Sequence, residues 1–150
     1  MIRRICCVWL MIALSGISPA ANAVLGAKVV STDQDTVQSK ASSRSQQSQN
    51  FKVVETTTPA GTTVREYADA EGRVFAITWN GPLKPDLRQL LGPYFPHYIS
   101  DSNEQSSGHA RRTVRHEDLV VHSLGRMRAF SGKAYLQSVI PNGVEIDSLQ

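Results

Sequence analysis

Between residues 51 and 81, apolar and polar side chains alternate in short runs cut by turn residues, a pattern that predicts β-strands. Residues 52–58 are rich in Val and Thr, Pro59-Ala60-Gly61 supplies a turn, and residues 62–68 resume the alternation with Val64 and Tyr67. Asp69-Ala70-Glu71-Gly72 closes a second hairpin, where Gly72 is free to take a positive φ. Residues 73–79 follow, with Phe75, Ile77 and Trp79 on one face and Val74, Ala76 and Thr78 on the other. The three predicted strands form an antiparallel meander.

The period then changes. After Asn80-Gly81-Pro82, residues 85–91 place Leu87, Leu90 and Leu91 at helical spacing. Pro85 suits a first-turn position, Asp86 suits the positive end of the helix dipole, and Gly92-Pro93 ends the helix. Tyr94, Phe95, Tyr98 and Ile99 extend this apolar cover in a less regular form, and residues 100–108 are polar and loop-like. Strand signals return at 119–124 and 127–136, joined through Gly125, and Pro141-Asn142-Gly143 marks a closing turn. The expected fold class is α+β: a small antiparallel sheet of about five strands, a βββ meander then α then ββ, with one short helix packed on it.

The first 50 residues carry no such pattern. Arg3 and Arg4 precede an apolar run from Ile5 to Leu14, and small residues lead to Ala21-Asn22-Ala23, the order of a secretory signal peptide. A bilayer-spanning helix needs about twenty apolar residues. This run holds ten, so cleavage is expected between Ala23 and Val24, and no stable membrane span is expected to remain. Residues 31–50 are so polar that they cannot offset their own ordering entropy, and 24–50 is read as a flexible tether. The expected organisation is a signal peptide at 1–23, a tether at 24–50 and a single α+β domain at 51–150.

Composition matters chiefly through what the leader removes. Arg3 and Arg4 depart with it, leaving 14 basic against 13 acidic side chains, so the formal +3 of the whole chain falls to +1. A near-neutral domain is poorly suited to nucleic acid, which demands a persistent positive field. Both cysteines, Cys6 and Cys7, also lie in the leader, which rules out disulfides, thiolate catalysis and thiolate metal ligation in the mature chain.

The strings VREYADAEGRVFAITWNGPLKPDLRQLLGPYF (64–95) and LVVHSLGRMRAFSGKAYLQSVIPNGV (119–144) resemble an exported Gram-negative family, domain of unknown function 2844. The Leu25-Gly26 pair adds to the likeness, and the REY, VFAITWNGP, PDL, LLG and RAFSGKAY elements carry it in order. The resemblance implies an exported single-domain protein. It brings no assigned activity, cofactor or catalytic residue.

The side chains themselves offer few catalytic patterns. His97, His109, His116 and His122 do not fall in the short paired spacings of a zinc motif, and no metal or other cofactor is expected. Ser131, in Phe130-Ser131-Gly132, lacks the leading glycine of a nucleophile elbow. Glu66, Asp69 and Glu71 cluster near a hairpin, and Glu117 and Asp118 precede a strand. Arg111, Arg112 and Arg115 sit in a basic tract, and Arg126 and Arg128 are expected to share a strand face. Guanidinium forks suit phosphates and carboxylates, so these five arginines are the candidate anion site. Trp79, Tyr94 and Tyr98 are a candidate aromatic surface, although core packing accounts for them more simply. The leading expectation is a non-catalytic binding module for an envelope protein or an anionic envelope component. A small periplasmic hydrolase using Glu66 and Glu117 is the alternative.

Overall fold

The computed structural model describes residues 24–28, 42–48, 50–102 and 111–149. The expected leader and its Ala23, the central part of the expected tether, and His109 lie outside these residues. The elements are β1 (Ser42–Gln47), β2 (Lys52–Thr57), β3 (Thr63–Ala68), β4 (Val74–Gly81), α1 (Leu87–Leu91), α2 (Phe95–Ser102), β5 (Arg111–His116), β6 (Leu119–Arg126) and β7 (Ala129–Leu136). The strands form one antiparallel sheet in the order β1-β2-β3-β4-β7-β6-β5. The fold is α+β, as the pattern predicts.

The sheet exceeds the expected five strands, and two helices joined by a 3-10 turn replace the expected one. The additional strands are β1 and β5, one at each edge. Both are polar in sequence because an edge strand can meet its neighbour with backbone hydrogen bonds while most of its side chains stay in water. In β5 only Val114 is buried. The segment expected as a tether therefore contributes a strand.

It contributes a core residue as well. Leu25 is fully buried, its N–H donating to the Leu90 carbonyl at 3.0 Å. Gly26 N–H donates to the Val74 carbonyl at 2.8 Å, and Val74 N–H returns to Ala27 at 3.0 Å. This short piece is clamped between α1 and the start of β4.

One face of the sheet buries Val64, Ile77, Trp79, Val114, Leu119, Val121, Ala134 and Leu136 beneath Leu87, Leu91 and Tyr98 of the helices. Asp86 caps α1 as expected, accepting from the N–H groups of Arg88 (2.9 Å) and Gln89 (3.3 Å). On the opposite face, Tyr67, Phe75 and Ala76 pack with Phe51, Val53 and Tyr135 under the carboxy-terminal residues Ile140, Val144, Ile146 and Leu149. Phe75 was expected to face the same way as Ile77 and Trp79. A bulge intervenes: Tyr67 pairs with Ala76 and Ala68 with Val74, so Phe75 is the extra residue and fills the second core.

Candidate anion-binding end of the sheet

The register gathers most of the candidate arginines at one end of the sheet. Arg111 opens β5 opposite Leu124, and Arg112 lies opposite Ser123. Arg126 closes β6 against Ala129, leaving Met127 and Arg128 as a two-residue turn. Alternation places Arg111, Leu124 and Arg126 on the helix-free face and Arg112 on the helix face. Arg126 and Arg128 do not share a strand face as expected, because Arg128 sits in the turn with φ of 60°. Arg115 stands apart, four residues further along β5 and roughly 13 Å away at strand rise.

The same end exposes apolar side chains. Met127 is 96% exposed, Leu83 just beyond β4 is 57%, and Leu124 is 43%. Leu83 is pinned there by Thr62, whose hydroxyl donates to the Leu83 carbonyl at 2.7 Å. Among the described residues, the strand ends and turns at 57–63, 80–84, 111–112 and 124–131 contain no Asp or Glu, and Asp86 follows at the α1 cap.

Acids collect at the other end, in the β3–β4 turn (Asp69, Glu71) and the β5–β6 turn (Glu117, Asp118). Asp69 and Asp118 build structure there. Asp69 accepts from Arg73 N–H at 2.7 Å and Arg73 Nε at 3.2 Å, and Asp118 accepts from Ser138 N–H and Oγ, both at 2.6 Å.

A polar row that sequence reasoning missed crosses the helix-free face between these ends. Cross-strand pairing links Arg44 to Glu55, Glu55 to Arg65, Arg65 to Thr78, Thr78 to Lys133, Lys133 to His122, and His122 to Thr113. Arg65 Nε donates to Glu55 Oε2 at 2.6 Å, and Lys133 Nζ reaches Asp147 Oδ1 at 2.6 Å. His122 Nδ1 and Thr113 Oγ1 are 3.2 Å apart. Burial, then the Lys133 and Arg115 charges, lower the His122 pKa, with Asp147 opposing them. Near β1 the row borders a groove of about 320 Å³ floored by Val53 and Tyr67. Arg44 and Thr113 lie in the two strands the pattern does not predict and Thr78 is buried, so only the register aligns the row.

The remaining candidates do not converge. Trp79 and Tyr98 are each 2% exposed and Tyr94 packs against the same core, so they form no aromatic surface. A sheet with helices on one side needs its large rings inside. Glu66 lies on the helix face between its pairing partners Val54 and Ile77, and burial raises its pKa to about 7. Glu117, in the β5–β6 turn, is four strand intervals away, roughly 19 Å at about 4.8 Å per interval. Paired glycosidase carboxylates stand about 5–9.5 Å apart, so Glu66 and Glu117 do not make such a pair. The His97 and His116 rings stack at 4.2 Å between centroids, and no group of three or more metal-ligating side chains exists among the described residues. Nor is any helix among them long and apolar enough to cross a membrane.

No curated protein and no solved structure matches the chain significantly. A family model does match, over residues 21–149, and spans the clamped Leu25 segment, both helices and all seven strands. Its description is "Protein of unknown function (DUF2844)", and the chain belongs to that family.

Proposed function

We propose that this protein is an exported, non-catalytic binding module that takes an anionic component of the cell envelope at the arginine end of its sheet. Export is supported by the basic start, the ten-residue apolar run and the Ala21-Asn22-Ala23 site. The observation that carries the binding reading is the segregation of charge. Arg111, Arg112, Arg126 and Arg128 share an end whose described strand termini and turns hold no acid, while Asp69, Glu71, Glu117 and Asp118 occupy the other, mixed there with Lys28, Lys52 and Arg73. Over an eight-residue strand the two ends are roughly 26 Å apart, against a Debye length of about 8 Å at physiological salt. A ligand at one end is therefore little affected by charges at the other, although the domain as a whole is almost neutral.

Heparin chromatography of the purified protein tests this reading with a generic polyanion. Wild type should be retained and elute with salt, and the variant with Arg111, Arg112, Arg126 and Arg128 all changed to Ala should pass through. A control variant with Lys28, Arg44, Lys52 and Arg73 changed to Ala loses the same charge elsewhere and should still be retained. Equal elution of the two variants would refute a localised anion site.

A further inference from the structure

The arrangement of apolar and basic groups at this end specifies the ligand more closely. We infer that it docks on the surface of an anionic lipid bilayer, Met127, Leu124 and Leu83 entering the headgroup layer while the surrounding arginines hold lipid phosphates. This inference rests on the anion-binding reading above.

Three observations carry it. The first is where the exposed aliphatic residues lie. Single exposed apolar side chains are ordinary, but of the four large ones among the described residues, Leu83, Leu124 and Met127 fall at this end, and only Ile99 lies elsewhere. Met127, at 96% exposure on a two-residue turn, projects past the strands with almost no cover from the protein.

The second is the disposition of the arginines. Arg111 and Arg126 are on one face of the sheet, Arg112 on the other and Arg128 in the turn between β6 and β7. They flank the apolar side chains and are spread over both faces and the turn, wider than one small anion. A planar array of phosphates over an apolar layer meets both groups at once, as interfacial binding requires.

The third is the far end. Asp69, Glu71, Glu117 and Asp118 sit in its turns and offset Lys28, Lys52 and Arg73 there, so it presents no basic excess that would compete for an anionic surface. Attraction at one pole only favours docking by that pole.

Flotation with phosphatidylcholine vesicles, with and without phosphatidylglycerol, tests the inference. All variants share one amino terminus, so any contribution from that segment cancels. Wild type should float with the anionic vesicles and remain behind with the neutral ones. Arg126→Ala and Arg128→Ala should each weaken binding about fivefold. Met127→Ser should weaken it roughly tenfold, as expected for the loss of a buried apolar side chain. Because the Met127 side chain is exposed, Met127→Ser should leave both thermal stability and heparin elution unchanged, which separates insertion from charge alone. Wild-type flotation by Met127→Ser, or no flotation by wild type despite retention on heparin, overturns the bilayer inference and leaves the anion reading standing. Failure on both matrices overturns both.

Discussion

Trp79 and Gly132 face each other across β4 and β7, and a Cβ at position 132 would collide with the Trp79 indole and the His122 carbonyl. The bare backbone of Gly132 is thus what lets the largest side chain of the helix-side core lie flat on the sheet. Gly132→Ala is expected to lower stability by about 1–3 kcal/mol, the usual range for overpacking. Trp79→Ala is expected to cost about 3–5 kcal/mol through the cavity it leaves. Urea unfolding followed by circular dichroism measures both, and wild-type midpoints would show that this contact is slack.

Glu66 is expected to contribute more stability in mild acid than in base. Its folded pKa is raised from 4.5 to about 7 by burial. Between these values the native chain holds a proton that the unfolded chain has released, so stability falls as pH rises from 4.5 and levels off above 7. The full swing is about 3 kcal/mol at about 1.4 kcal/mol per pH unit. Glu66→Gln should remove this fall and raise the melting temperature at pH 8. A variant whose pH profile parallels wild type would contradict the assignment.

His122 acts with the opposite sign. Its pKa is lowered in the fold, so below about 6.5 the unfolded chain takes up a proton more readily than the native one, and stability drops as pH falls. His122→Gln should flatten the acid side of the profile and leave the Glu66 effect untouched. NMR titration of the His122 ring checks the direction independently.

Leu25→Ala is expected to cost about 2–5 kcal/mol, as for any buried leucine. Were residues 24–28 a tether, the substitution would be silent. The melting temperature decides.

The Glu55–Arg65 pair should contribute little despite its 2.6 Å contact, because both side chains are about one-third exposed. A double-mutant cycle is expected to return a coupling of about 0.2–1 kcal/mol, diminishing with salt. A larger, salt-independent value would indicate a far drier groove.

Those strands whose sequence answers to a core were legible before the structure. The alternation at Val64 and Tyr67, and again at Ile77 and Trp79, placed β3 and β4 to within two residues, and Asp86 with Gly92 bracketed α1. β1 and β5 escaped because SSRSQQ and RRTVRH are shaped by hydrogen bonding to β2 and β6, and polarity alone cannot separate an edge strand from a loop. The arginines were visible as residue types, but their gathering was not. It depends on Arg111 lying opposite Leu124 and Arg126 opposite Ala129, a pairing no single strand encodes. Trp79 and Tyr98 were ambiguous for a similar reason, since an aromatic side chain suits a core and a binding face equally well.

The clamped segment at residues 24–28 would tie the proposed maturation to folding in time. Leu25, which seals the gap between Leu90 and Val74, lies two residues beyond the expected cut after Ala23. While the proposed leader was still held in the membrane, that residue would be tethered at the bilayer and the core could not close around it at a distance. On the export reading proposed above, release would come first and consolidation second, and a cut misplaced by only two positions would carry the plug away with the leader.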